Sequence, residues 1–176
     1  SIATAMWTGV QAINKEAKAS YDTAASLLTE GQYDQLVPKQ GQSISQKTYI
    51  ALRRAGWLVS PLIEGEIGNI RFIGLDWATA PITSPYIANQ LTSDIDTSDS
   101  RQRLYVHSET AEQLEFSLPI EIDNTLPLAT VIGDIGVIQM ILRRNDLSRL
   151  LISSKQPMNQ TPLNQITSRL IVQSAQ

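Results

Sequence analysis

Apolar side chains recur at every third or fourth position from Ile2 to Leu28. Lysine and aspartate side chains lie on the opposite side of this pattern, and alanines between them supply helix propensity. The spacing predicts an amphipathic helix over residues 2–29, and Gly31 is typical of a helix end. At 1.5 Å per residue such a helix measures about 40 Å, so we expect a stalk that extends beyond a small domain.

The following residues predict a short strand and a second helix. Tyr33 to Pro38 is the candidate strand, and Gly41 marks a turn. Ser43, with Gln46 three positions later, matches a capping box, and an apolar stripe at helical spacing follows. We therefore expect a helix that begins at Ser43 and ends at Gly56.

Residues 57–67 alternate between apolar and polar positions, which predicts a half-buried strand. One face is apolar and the other polar: Trp57, Val59, Ile63 and Ile67 against Ser60, Glu64 and Glu66. Pro61 indicates an edge strand or a bulge. Gly68-Asn69 then turns the chain into residues 70–76, which are apolar on both faces, so the pair predicts a β-hairpin.

Residues 77–100 are rich in proline, serine, threonine and aspartate. This composition predicts an irregular excursion with one short helix at 86–91. Asp94, Asp96 and Asp99 follow a spacing similar to that of a calcium-binding loop. The glycine and the closing glutamate of an EF-hand are missing from this segment, so we do not expect a calcium site there.

Short strands and helices follow in the second half of the chain. Strands are predicted at four places, residues 104–107, 116–122, 128–132 and 147–153. Ser108 caps a short helix after the first of them. Asp134 caps a longer helix whose last turn carries Arg143 and Arg144 and which ends at Asn145.

Thr161-Pro162 predicts the start of a final helix, through a cap and a first-turn proline, that runs to residue 176. Its stripe consists of Leu163, Ile166, Leu170 and Ile171. Across the chain, helices interrupt runs of strands without a strict alternation of strand and helix. The element order therefore predicts an α+β domain with a mixed or antiparallel sheet.

Composition narrows the functional classes. A chain of 176 residues is long enough for one domain with an ordinary core. It contains no cysteine and a single histidine, His107, which excludes thiolate metal sites, disulfides and multi-histidine metal sites. The net charge of −3 provides no basic surface for nucleic acid. We find neither an uninterrupted apolar run of membrane-spanning length nor a signal peptide, although the first charge is Lys15.

Candidate catalytic groups are few. His107, Ser108 and Glu109 are adjacent in sequence, whereas a catalytic triad assembles from distant segments. Asp34 with Asp76, or Glu64 with Glu66, could form a pair of carboxylates. Glu64 and Glu66 lie on the same outward face of a predicted strand, so we expect them to be solvated. The glycines near position 133 lack a phosphate-loop pattern. We therefore expect no catalytic residue, cofactor or metal.

Two stretches of the chain carry a resemblance to a known family. The first is AINKEAKASYDTAASLL (Ala12 to Leu28) followed by QLVPKQGQSISQKTYIALRRAGWLVSPLIEGEI (Gln35 to Ile67), with a Leu-Arg helix motif at 49–53 and P-x-x-E-G within 60–65. The second is VIGDIGVIQMILRRNDLSRLLI (Val131 to Ile152), whose motif positions are Asp134, Gln139, Leu142, Ser148 and Arg149. Between them lie the triplet Gly74-Leu75-Asp76 and the S-x-x-x-A-x-x-L helix that starts at Ser108. In order and spacing, these segments resemble the MacB-like periplasmic core domain of FtsX/MacB/LolCE-type ABC transporter permeases.

The resemblance implies that residues 1–176 form a single periplasmic domain with four regions. These are a stalk helix over 1–30 continuing from a transmembrane helix, an α/β core over 31–76 and 125–155, a variable upper insert over 77–124, and an exit helix over 156–176 toward the next transmembrane helix. Any contact with cargo or a partner would involve the loop 77–100 and the exposed edge of the upper insert, but the sequence identifies no individual residue.

The resemblance also implies a function. The domain would be non-catalytic and would couple ATP hydrolysis by a cytoplasmic ATPase subunit, through mechanical transmission, to extrusion or release of a lipoprotein, lipid, peptide or small-molecule cargo. The full-length permease would lie in the bacterial inner membrane, paired with a second permease subunit as a homo- or heterodimer, with this domain in the periplasm and facing a periplasmic partner or cargo. A ligand-sensing extracytoplasmic domain of a receptor or kinase is the alternative, because it too would follow a transmembrane helix.

Overall fold

The computed structural model describes residues 33–80, 102–115 and 117–174. The predicted stalk helix over 2–29, the predicted helix at 86–91 and the three aspartates at 94–99 lie outside these residues. Within the described ranges, no helix is both long and apolar enough to cross a bilayer.

Eight strands and four helices make up the described chain. They are β1 (Gln35–Pro38), α1 (Gln46–Arg54), β2 (Val59–Ile67), β3 (Ile70–Leu75), β4 (Leu104–Val106), α2 (Ser108–Ala111), β5 (Ile120–Ile122), β6 (Thr130–Asp134), α3 (Ile135–Leu142), β7 (Arg149–Ile152), α4 (Leu163–Ile166) and β8 (Leu170–Gln173). All the strands form one sheet in the order β5-β4-β6-β3-β2-β7-β1-β8. The pairs β3–β6 and β4–β5 are parallel and the other neighbours antiparallel. The described chain therefore has a mixed α+β fold.

The predicted hairpin is confirmed. β2 and β3 pair antiparallel from Ile67 with Ile70 to Leu62 with Leu75, so that Gly68-Asn69 forms a two-residue turn. Pro61 lies just beyond the last of these pairs and has a neighbour in β7 alone. Proline is compatible with this central strand because one side of the strand is already unpaired at that position.

The two faces of the sheet are covered differently. Helices α1, α3 and α4 pack on one face, where the buried residues include Leu36, Leu52, Phe72, Val131, Ile138 and Leu150. The opposite face carries a smaller apolar cluster that includes Leu62, Ile73, Tyr105, Ile132 and Leu151, with Trp77 packed against it. The Trp77 and Tyr105 rings meet edge to face at 5.9 Å. Both faces are therefore partly apolar, as the two-sided pattern of residues 70–76 indicates.

The caps of α1 and α2 differ from the prediction. Ser45, rather than Ser43, caps α1, and its hydroxyl oxygen accepts a hydrogen bond from the Thr48 amide at 3.1 Å. His107, rather than Ser108, caps α2 through its Nδ1, which accepts from the Glu109 amide at 3.1 Å. Two serines near the start of α1 both have a side chain that can cap, so the local pattern alone does not select between them.

The cap of α3 is confirmed, but its end is not. The Asp134 carboxylate accepts from the Gly136 amide at 2.9 Å. The helix ends at Leu142, because Arg143 adopts a left-handed conformation with φ of 55°. Arg143 and Arg144 therefore lie beyond the last turn, and Asn145 does not end the helix. Arg144 instead reaches across to donate to the Glu64 carbonyl at 3.0 Å.

The predicted helix over 161–176, the core of the proposed exit helix over 156–176, is wrong for the residues that the structure describes. One helical turn, α4, ends where Thr167 takes an extended conformation (φ −154°, ψ 146°). Residues 170–173 then form β8, which pairs antiparallel with β1. The unpaired edge of β1 supplies backbone partners that a sequence pattern does not show, and Leu170 is buried against the core as a result.

The strands predicted in the second half occur, but their bounds are shifted or shortened. β5 and β6 occupy residues 120–122 and 130–134 instead of 116–122 and 128–132, and β7 starts at Arg149. β4 and β5 fall within the proposed upper insert over 77–124, and in the structure they form one end of the common sheet.

The described chain enters and leaves the sheet at one point. Gln35, at the start of β1, is the Cα partner of Gln173, at the end of β8. The first residue of β1 and the last residue of β8 therefore lie side by side at the same end of the sheet.

This pairing predicts a disulfide in the double variant Gln35→Cys/Gln173→Cys. Cα atoms of antiparallel partners lie about 4.5–5.5 Å apart, which is within the range that a disulfide spans. Since the chain has no cysteine of its own, mild oxidation followed by mass spectrometry and thermal unfolding provides a background-free measurement. We expect an intramolecular disulfide and a higher unfolding temperature.

The control is Gln35→Cys/Arg169→Cys. Arg169 lies opposite Lys39, about 13 Å along the strand from Gln35, so this pair should remain reduced. Equal oxidation of both variants, or none in the first, would contradict the β1–β8 register.

Candidate functional site

A cleft of about 330 Å³ lies at the end of the sheet where β2 begins and β7 ends. Five segments of the chain line it: the residue two positions before β1, the last turn of α1, the start of β2, the end of β7, and the turn after β3. The lining side chains are Tyr33, Arg53, Leu58, Val59, Ser60, Thr79, Leu151 and Ser153. Of these, Thr79 alone falls within the region 77–100 where we expected contacts with cargo or a partner.

One glutamine fixes the wall of the cleft. The Gln156 side chain accepts from the Leu58 amide at 3.0 Å and donates to the Leu58 carbonyl at 2.7 Å and the Ser153 carbonyl at 2.8 Å. Nearby, the Trp57 indole donates to the Thr161 carbonyl at 2.7 Å. These bonds attach the loop after β7 to the start of β2, so the cleft is held open by neutral hydrogen bonds within the chain.

Two hydroxyls in the cleft form a directed chain of hydrogen bonds. The Thr79 hydroxyl donates to the Asp76 carboxylate at 2.7 Å, and Ser60 and Thr79 hydroxyl oxygens are 2.8 Å apart. A hydroxyl has one hydrogen to donate, so Ser60 must be the donor to Thr79. The Asp76 carboxylate also accepts from the Ala78 amide at 3.2 Å, so this chain of hydrogen bonds holds the turn after β3 in place.

The charges around the cleft act on a neighbouring tyrosine. Burial raises the pKa of Tyr49 in α1 above its ordinary value, the Arg53 charge opposes this rise, and the Asp76 charge adds to it. Arg53 and Asp76 therefore both lie within electrostatic reach of the same phenol. Among the described residues, neither the Arg53 guanidinium nor the Tyr33 hydroxyl makes a hydrogen bond or an ion pair.

A second polar group lies on the face of the sheet opposite the helices. Glu64 in β2 pairs with Arg149 in β7 through a very short contact and with Arg71 in β3 at 3.6 Å. Arg71 also pairs with Glu66 at 3.2 Å. The Glu64 and Arg149 side chains are only 11% and 9% exposed, so Glu64 is not the solvated surface residue that we predicted, whereas Glu66 at 61% is.

Residues that carry the family resemblance meet at this ion pair. The Ser148 hydroxyl accepts from the Glu64 amide at 2.8 Å, next to the Arg149 contact. Gln139 in α3 donates to the Asp146 carbonyl at 3.2 Å and thereby holds the turn that leads to β7. The P-x-x-E-G and Ser-Arg motifs are therefore joined in space, and their role in the described chain is to fix β2 against β7.

The remaining candidates from the sequence have local structural roles. His107 and Asp134 cap helices, Asp76 holds its own turn, and the Asp34 carbonyl accepts from the Ile152 amide at 2.8 Å. Among the residues that the structure describes, no cluster of histidine and carboxylate side chains could hold a metal ion. The sequence analysis missed the cleft; the signal within its reach was Arg53, which falls in the Leu-Arg helix motif of the resemblance.

The buried ion pair predicts a selective loss of stability in Glu64→Gln. Removal of one charge leaves Arg149 without its counter-ion in a largely buried position, and such changes cost roughly 3 kcal/mol. The free energy of unfolding in urea measures this effect. Glu66→Gln is the control, because it lies on the same strand and face but is mostly exposed, and we expect a change within about 0.5 kcal/mol. Similar losses in both variants would show that Glu64 is no more important than a surface charge.

No family model and no curated protein matches the chain.

Two solved structures are similar to the chain at low TM-score. The periplasmic region of MacB from Actinobacillus actinomycetemcomitans has a TM-score of 0.44 and 9% identity, over 81% of this chain and 88% of that one. The extracellular domain of the noncanonic ABC-type transporter YknZ from Gram-positive bacteria has a TM-score of 0.38 and 13% identity, over 76% and 86%.

Proposed function

We propose that the chain is the extracytoplasmic domain of an ABC transporter permease subunit of the FtsX/MacB type. The observation that carries this proposal is the pairing of Gln35 with Gln173, which brings the entering and leaving segments together at one sheet edge. A domain inserted between two neighbouring membrane helices needs such an arrangement, because both connections must return to the same membrane surface. The ordered sequence resemblance provides independent support.

The described core suits a mechanical role. Its candidate catalytic residues serve as helix caps and turn anchors, and its buried ion pair ties β2 to β7. A rigid sheet with a packed helical face transmits the displacement of an attached segment to the whole domain. In this proposal ATP hydrolysis by a cytoplasmic subunit moves the membrane helices, and the domain acts on a lipoprotein, lipid, peptide or small-molecule cargo, without being an enzyme. A second permease subunit completes the transporter, and the membrane is the inner membrane of the cell.

A ligand-sensing domain of a receptor or kinase is the second candidate, and the 330 Å³ cleft favours it. The sequence of the full-length gene separates the two. A permease requires several further membrane spans and an associated ATPase, whereas a sensor requires one following span and a signalling module.

The location of the domain is tested with Met158→Cys in the full-length protein. Met158 is fully exposed, and this chain has no cysteine to compete for reagent. A membrane-impermeant maleimide should label the variant in intact cells as completely as after permeabilisation, and the parent protein provides the background. Labelling that requires an opened inner membrane would place the domain in the cytoplasm and overturn the proposal.

Mechanical coupling is tested by inserting Gly-Pro after Ala17 in the full-length transporter. Because proline breaks a helix, transmission through residues 2–29 should be lost. We expect ATP turnover to remain within about twofold of the parent, whereas complementation of a deletion strain fails. The control is the same insertion after Met158, a fully exposed position of the described core, which should complement. Complementation by the Ala17 insertion would exclude the stalk role.

A further inference from the structure

We propose that the cleft at the start of β2 binds a small organic carboxylate with an apolar tail. The proposal is independent of the transport role, because it rests on the hydrogen-bonding groups and surfaces of the cleft alone. It concerns the side chains that line the cleft and no residue outside the described ranges.

Three side chains that line the cleft have hydrogen-bond donors without an acceptor in the described chain. Arg53 and Tyr33 both line the cleft, and within the described chain neither makes a hydrogen bond or ion pair. Ser153 accepts from the Lys155 amide at 3.4 Å, which leaves its own hydroxyl hydrogen to be donated. A guanidinium and two hydroxyls therefore offer donors to whatever occupies the cleft.

The hydroxyls of Ser60 and Thr79 have no hydrogen to donate into the cleft. The Ser60 and Thr79 hydrogens point along the chain that ends on Asp76, so these side chains present only oxygen lone pairs. The Asp76 carboxylate is already engaged by the Thr79 hydroxyl and the Ala78 amide. An anionic group would therefore bind at the donors of Arg53, Tyr33 and Ser153. It would not bind beside Ser60 and Thr79, which offer only acceptors.

Part of the cleft lining is apolar. Leu58 is 41% exposed, although it directly precedes a central strand, and the other apolar lining residues, Val59 and Leu151, are nearly buried. An alkyl group lying on Leu58 would remove this apolar surface from water. A small inorganic anion would leave it exposed, so the tail is part of the proposed chemistry.

The volume of the cleft and the number of its cationic groups restrict the class of ligand further. Pockets for small molecules range from roughly 300 to 1,000 Å³, so a cleft of about 330 Å³ suits a ligand at the small end of this range. A single guanidinium matches a carboxylate in a bidentate geometry and leaves no second cation for a phosphate dianion. The inferred ligand is therefore a monoanion with a short alkyl or aryl tail.

The test uses the complete 176-residue chain, labelled with ¹⁵N, and three soluble probes. Hexanoate has both required parts, hexanamide lacks the charge, and acetate lacks the tail. We expect hexanoate, added to about 20 mM, to give saturable amide shifts at Leu58, Ser60 and Ser153. Hexanamide and acetate should bind at least tenfold more weakly. The absence of saturable shifts at these amides, or equal binding of hexanamide, would overturn the proposal.

Variants locate the anion. Arg53→Gln should weaken hexanoate binding by about tenfold or more, because it removes a charge-assisted hydrogen bond. Arg54→Gln is the matched control, since Arg54 is the adjacent exposed arginine and does not line the cleft. Tyr33→Phe retains the ring and should give a smaller loss of about threefold. An equal loss of affinity in Arg53→Gln and Arg54→Gln would show that hexanoate responds only to the net charge of the protein, which would contradict the proposal. Tighter binding of hexyl phosphate than of hexanoate would show that the ligand class is wrong.

Discussion

The close approach of α3 to the sheet is the constraint on which the rest of the structure depends. Gly74 in β3 and Gly133 in β6 are direct partners in the parallel pair beneath this helix. A Cβ atom at Gly74 would lie 2.9 Å from the Cβ of Ile138 in α3, and one at Gly133 would lie 3.2 Å from the Ile138 Cδ1. The absence of side chains at these two adjacent positions lets the fully buried Ile138 pack directly on the strands, which brings the helix close to the sheet.

The position of α3 determines the polar contacts on the other face. The helix ends at Leu142, and Arg144, two residues later, reaches the Glu64 carbonyl. The same turn then leads into β7. Arg149 then meets the Glu64 side chain from the neighbouring strand. Leu142 of α3 packs on Gly65 of β2 from one face, and the ion pair lies on the other face. The stretches of the family resemblance contain the ion pair and most of the residues that line the cleft.

Local signals were sufficient where the partner of a residue is close in sequence. The β2–β3 hairpin, the Asp134 cap and the mixed α+β class could all be predicted from spacing and turn chemistry. β8 could not, because its strand conformation depends on the free edge of β1, more than a hundred residues away. The burial of Glu64 also depends on neighbouring strands, although Leu62 on the same face indicated that this face is not fully solvated. The cleft brings together five separate segments of the chain, and a periodic pattern along the sequence does not predict such a convergence.

The adjacency of Gln35 and Gln173 determines how the domain responds to force. Hydrogen bonds between antiparallel strands run perpendicular to the strand axes. Forces that separate the two attached segments would open the β1–β8 pair like a zipper, breaking one bond at a time at low load. Forces that pull both segments in the same direction would act on the sheet as a unit. The domain is therefore compliant to divergence of its two connections and stiff to their common movement.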